Sequence, residues 1–117
     1  MKYPEYKDLI VALLNLGLQH GSITVNANRN NTDIFFNDMN VGMEEVERVL
    51  SDFNMKKEEV DEQNINYYGE THVKGIETWR GMTKKGECIA SIDYISIGDV
   101  NRNGRTVNGV YLQCEGK

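Results

Sequence analysis

Apolar side chains at Tyr6, Leu9, Ile10, Leu13, Leu14 and Leu18 recur at steps of three and four. This spacing predicts a helix over about residues 4–19, with Pro4 in its first turn and Gly21 as its stop. Its apolar residues run nearly all round beyond Leu9, so the helix is expected to lie across a sheet with little solvent contact. Ile23-Thr-Val25 and Asp33-Ile-Phe-Phe36 are β-rich runs flanking a turn-rich segment over residues 26–31, the pattern of a hairpin. Met43, Val46, Val49, Leu50 and Phe53 return to the helical period. They predict a second helix over about 42–53, with Asn40 as its cap and Glu44 and Glu45 in the favourable first turn.

Between Lys56 and Glu62 only Val60 can join an apolar stripe, so this segment either extends the second helix or forms a polar turn. From Ile65 the period becomes two: Ile65, Tyr67, Thr71 and Val73 alternate with Asn66, Tyr68, Glu70, His72 and Lys74. One long, half-exposed strand is expected, continuing past a bulge at Gly75 to a turn at Thr83-Lys-Lys-Gly86. Two further strands, near 88–97 and 106–114, join through Asn103-Gly104, the strongest short hairpin signal in the chain. The resulting order is α-β-β-α-β-β-β. It predicts an α+β domain in which two helices pack on one face of a mostly antiparallel sheet of about five strands, leaving Tyr68, Glu70, His72 and Lys74 toward solvent or a partner.

The 117 residues suit a single domain spanning 1–117, and hydrophobic and charged contents of 39% and 26% exclude wholesale disorder. The longest apolar run, Leu9–Leu18, is about half of the ~20 residues a membrane span needs. Glu5 and Asp8 before it, and Gln19-His20 after it, do not fit a secretory signal. Two cysteines, Cys88 and Cys114, without a CxxC pair suit free thiols in a reducing, cytoplasmic setting. A two-residue turn at Asn103-Gly104 would also set Cys114 opposite Asp93, so no disulfide is expected. Thirteen Asn against three Gln suggest an AT-rich coding sequence, as in some bacteria and mobile elements.

Charge changes the picture most. Within residues 41–62, Glu44, Glu45, Glu47, Asp52, Glu58, Glu59, Asp61 and Glu62 face only Arg48, Lys56 and Lys57; this segment holds the whole formal charge of −5. Glu44 with Arg48 and Asp52 with Lys56 stand at i, i+4 and would decorate a helix face, whereas Glu58, Glu59, Asp61 and Glu62 lack such partners. A concentrated acidic segment on an otherwise balanced chain suits docking against a basic partner.

Other candidate chemistry is thinner. Asp99-Val-Asn101-Arg-Asn103-Gly104 matches the first half of a calcium loop, but Val107 and Val110 stand where the later ligands belong. His20, His72, Cys88 and Cys114 are too scattered for a structural zinc site. No metal or cofactor is expected. Glu70, His72 and Glu77 could gather along one strand as an acid–base group, yet no catalytic motif accompanies them, and a non-enzymatic role is expected.

The leading expectation is therefore a small cytosolic binding or inhibitor-type protein. Its acidic residues 44–62 would dock a basic, nucleic-acid-handling protein in the manner of immunity proteins or phage accessory factors. The alternative is a sheet-based binder of nucleic acid or nucleotide using Arg29, Trp79, Arg80, Lys84, Lys85, Arg102 and Arg105. Against it, the tips of successive hairpins lie at opposite ends of a meander and the net charge is −5. Homodimerisation through an uncovered sheet edge is a further expectation.

Overall fold

The computed structural model describes residues 5–16, 22–27, 31–97 and 105–115. Its elements run α1 (Tyr6–Leu14), β1 (Ser22–Ala27), β2 (Asn31–Gly42), α2 (Met43–Asp52), β3 (Lys56–Tyr67), β4 (Glu70–Thr83), β5 (Gly86–Ile97) and β6 (Arg105–Glu115). The strands form one six-stranded sheet in the order β1-β2-β6-β5-β4-β3, antiparallel at every junction. This is the expected α+β architecture with one strand more.

The extra strand arises because the long run from Ile65 folds back on itself. Tyr68 and Gly69 both take positive φ, 51° and 78°, so they form the two-residue turn of a hairpin whose strands pair Tyr67 with Glu70. β3 then reaches back to Lys56, and the segment expected as helix or polar turn is an edge strand instead. An edge strand exposed on both faces needs no apolar alternation, which is why its sequence lacked the usual signature. The hairpin of β1 and β2 and the turn over residues 83–86 form as expected; Thr83 Oγ1 caps the latter by donating to the Gly86 carbonyl at 3.0 Å.

Helix α1 buries Leu9 and Leu13 but leaves Val11 51% exposed, so it packs one-sidedly rather than all round. Helix α2 buries Met43, Val46 and Leu50, while Val49 and Phe53 pack at the margin. Its N-cap is Gly42, not Asn40, which belongs to β2. Both helices cover the sheet face that presents Ile34 and Phe36 from β2, Ala90, Ile92 and Tyr94 from β5, and Val110 and Leu112 from β6. Among the described residues, no helix is long and apolar enough to cross a membrane.

Gly75 does not mark a bulge: its pairing with Glu62 on one side and Tyr94 on the other is regular. It makes room instead. A Cβ at Gly75 would overlap the Tyr94 phenol and come within 3.0 Å of the Asp61 carbonyl oxygen.

The cysteines overturn an expectation. Cys88 and Cys114 lie directly opposite each other on β5 and β6, with Cα atoms 4.1 Å apart, and are joined by a disulfide. The close spacing is that of a non-hydrogen-bonded antiparallel pair. Asp93 faces Gly109, not Cys114, because the register pairs Ser96 with Arg105 rather than with Tyr111, as a two-residue turn at Asn103-Gly104 would require; that dipeptide itself lies outside the described residues. Joined in a disulfide, the two cysteines do not point to a reducing compartment.

Two outcomes follow. Reducing the disulfide, which closes a loop with a separation of 26 residues, should lower unfolding free energy by about 3 kcal/mol in urea melts with and without reductant. Gly75→Ala should cost about 2 kcal/mol in the same assay, since overpacking displaces Tyr94 or the β3 backbone.

Candidate functional site

The acidic residues divide between α2 and β3, and the division decides what each can do. Among the described residues β3 pairs only with β4, which leaves one side of its backbone with N–H and C=O groups that no described strand pairs along a 12-residue edge. Glu58 is the extra residue of a bulge between Lys57 and Glu59, and it accepts a hydrogen bond from Arg80 Nε at 3.0 Å. Arg80 also pairs with Glu87; these carboxylates raise its pKa further, the Glu58 hydrogen bond being the larger cause. Glu62 accepts from Tyr94 Oη at 2.6 Å and lies 3.2 Å from Arg105. Glu59 and Asp61 differ from both. They pair with Thr78 and Ile76, positions on the face away from the helices, and among the described residues neither meets a cation.

On α2, Glu44, Glu45 and Asp52 are exposed and Glu47 turns toward the sheet. Lys56 belongs to β3, so the expected helical i, i+4 relation of Asp52 and Lys56 does not arise.

Glu47 meets a cluster built around Glu77. In β4, Val73, Gly75, Glu77 and Trp79 share the inward face by alternation, which buries a carboxylate in the core layer at 2% exposure. Glu77 Oε1 accepts the Trp79 indole N–H at 2.8 Å, and Oε2 lies 3.7 Å from Lys57 Nζ. The same ammonium stands 3.6 Å from Glu47. Burial raises the Glu47 pKa, as do the charge and hydrogen bond of Glu77, and Lys57 only partly opposes them. The Tyr94 phenol nearby is pushed well above its ordinary value, first by burial and then by Glu62. These groups tie α2 to β3 and β4 through paired charges. The signal in the sequence was parity, since Glu77 is in phase with Val73 and Trp79.

That parity separates the expected acid–base group. His72 and Glu77 face opposite sides of β4, and His72 is 6% exposed rather than solvated. The Glu70 side chain lies outside the described residues. So do His20, the Asp99–Gly104 segment, Arg29 and Arg102. Among the described residues, no group of His, Cys, Asp and Glu is arranged to hold a metal.

Among the described residues, the basic set does not assemble into a groove. Trp79 is 6% exposed with its N–H engaged by Glu77, so its ring is not presented for stacking. Arg80 and Arg105 are engaged by acids, Arg105 also lying 5.4 Å over the Tyr94 ring. Lys84 donates to Glu5 at 2.8 Å; with Lys85 it occupies the β4–β5 turn, at the opposite end of the sheet from the start of β6.

Compared with known protein families, curated proteins and solved structures, the chain matches none of them.

The Glu47 environment gives a signed pH dependence. A carboxyl held above its ordinary value stabilises the fold below the unfolded pKa and loses that contribution as pH rises through the folded value. Glu47→Gln removes the repulsion, so the variant's melting temperature relative to wild type should be more favourable at pH 7 than at pH 4. The expected difference is on the order of 2 °C by calorimetry.

Proposed function

We propose that this protein is a non-catalytic binding protein that occupies or masks a basic protein partner, with the β3 edge as its contact. The observation that carries this reading is the open edge strand on which Glu59 and Asp61 project beside the uncovered sheet face, unmatched by any cation of the described residues. Glu58 and Glu62, held by Arg80 and by Arg105 with Tyr94, shape the edge more than they supply free charge. An extended basic segment of the partner would add a strand to β3: main-chain hydrogen bonds would give affinity, and cross-strand Lys or Arg opposite Glu59 and Asp61 would give selectivity. Glu44, Glu45 and Asp52 on α2 would steer encounter from the side. Immunity proteins and phage-borne inhibitors of nucleases are the class-level analogy, since nuclease surfaces built for nucleic acid are basic. Among the described residues, the engagement of Trp79, Arg80, Lys84 and Arg105 speaks against the nucleic-acid alternative.

The test is capture from nuclease-treated lysate by the wild-type protein and by a Glu59→Gln/Asp61→Asn variant. A basic protein should be retained by the former and bound at least about tenfold more weakly by the latter, with affinity falling as salt rises. Equal capture by both proteins would overturn the assignment.

A further inference from the structure

The sheet face away from the helices carries a second feature that the acidic edge does not use. An open cavity of about 380 Å³ lies over the middle of β4, β5, β6 and β2. One wall is aromatic: Phe35 and Tyr111, opposite each other on β2 and β6, meet edge to face with centroids 5.5 Å apart. Ile76, 47% exposed, forms the facing apolar wall. The floor is Gly109, where a Cβ would stand 2.7 Å from the Phe36 carbonyl oxygen; the close approach of β2 and β6 requires glycine there and leaves the cavity its depth. Asn108 reaches the rim from the bulge that breaks the β5–β6 register between Asp93 and Tyr94.

Polar chemistry at this site is one-signed. Asp93 lines the cavity, and its Oδ1 is buried yet accepts no hydrogen bond from the described residues. Behind the aromatic wall, Asp33 takes a hydrogen bond from the Tyr111 hydroxyl, raising the phenol pKa, and its own Oδ1 is likewise buried without a partner. A buried carboxylate oxygen without a donor is costly, and native structures satisfy such atoms. Among the described residues no cation lines the cavity: Arg80, on the same face, is held by Glu58 and Glu87, and Lys74, exposed along β4, is not part of the wall.

An aromatic pair, an aliphatic wall and a carboxylate with an unused acceptor complement one kind of ligand. We infer that this cavity is a binding site for a cationic group on an apolar stem, a primary ammonium or a guanidinium. Its N–H donors meet Asp93 while its stem lies between Ile76 and the Phe35–Tyr111 pair. The volume lies within the range of small-ligand sites. The inference stands apart from the acidic-edge reading, because none of Glu58, Glu59, Asp61 and Glu62 lines the cavity.

The experiment is an amide NMR titration of the full chain with n-butylammonium and n-butylguanidinium, with 1-butanol as the neutral control. A capped peptide carrying one arginine between glycines distinguishes a free amine from a partner's side chain. The cations should give saturable shifts confined to residues 35, 76, 91–93 and 108–111, and 1-butanol should not. Asp93→Asn should weaken the response about tenfold, and Asp8→Asn, on α1 over the opposite face of the sheet, should leave it nearly unchanged. Should Asp93→Asn fail to fold, Ser91→Lys supplies a tethered ammonium at the cavity wall and should abolish binding of the probes. Tighter binding of the peptide than of n-butylguanidinium would identify a protein side chain as the source of the cation; equal or weaker binding would identify a small amine. Equal shifts with 1-butanol, unchanged binding in a folded Asp93→Asn, undiminished binding in Ser91→Lys, or an equal loss in Asp8→Asn would overturn the site.

Discussion

The pairing of β2 with β6 is the contact on which the rest of the molecule depends. It joins the N-terminal hairpin to the last strand of the β3–β4–β5–β6 meander, so two sheets that could not each bury a face become one. On one side it sets Ile34 and Phe36 against Leu112 and Val110, the centre of the layer that both helices cover. On the other it sets Phe35 against Tyr111 and brings Gly109 under the Phe36 carbonyl, which builds the cavity. Because β6 is already flanked by β5, this closure also decides which strands remain at the edges: β1 and β3. Core, cavity and acidic edge are thus three consequences of one long-range register, a contact costly in loop-closure entropy and repaid by apolar burial.

Elements whose local pattern and tertiary role agree were legible. The period of Met43, Val46 and Leu50 placed α2 within a residue or two, and the Thr83–Gly86 turn and the first hairpin formed where their residues put them. Failures came where a local signal was outweighed. Tyr68 is an aromatic residue in the middle of an alternating run, and nothing local marks it for positive φ, so the β3–β4 hairpin was hidden inside one long strand. Asn103-Gly104 is a strong turn signal, but the register that pairs Ser96 with Arg105 is not the one it would set, and Cys114 therefore meets Cys88 rather than Asp93. Trp79 and Glu77 show the same limit in the site. Their inward parity could be read from Val73 onward, yet that Glu77 would be held by an indole and an ammonium depends on α2 and β3 coming together.

The charges of residues 44–62 lose their uniformity in three dimensions. Glu47 is drawn inward against Glu77 and Lys57, Glu58 joins Arg80, and Glu62 supports Tyr94 and Arg105. A segment that reads as one acidic surface therefore resolves into structural carboxylates and a smaller exposed set. Exposed ion pairs such as Glu58–Arg80 contribute little to stability, so their effect is to orient side chains along the edge rather than to hold it in place. The exposed remainder, Glu59 and Asp61 on β3 with Glu44, Glu45 and Asp52 on α2, is where net field remains available to a partner.

An edge strand so long is a hazard unless something decides what pairs with it. Antiparallel pairing of β3 with its own copy about a two-fold axis near its acidic half would bring Glu58, Glu59, Asp61 and Glu62 across from the same residues. Like charges directly opposite are destabilising. The bulge at Glu58 further twists the edge away from a flat self-match. An incoming strand with Lys or Arg at alternate positions meets the opposite balance, gaining at each pair that a second copy would lose. Under the proposed reading the acids on β3 would disfavour pairing of this half with a second copy and favour a basic partner at once, and the selectivity would rest on placing them along the edge rather than on their number.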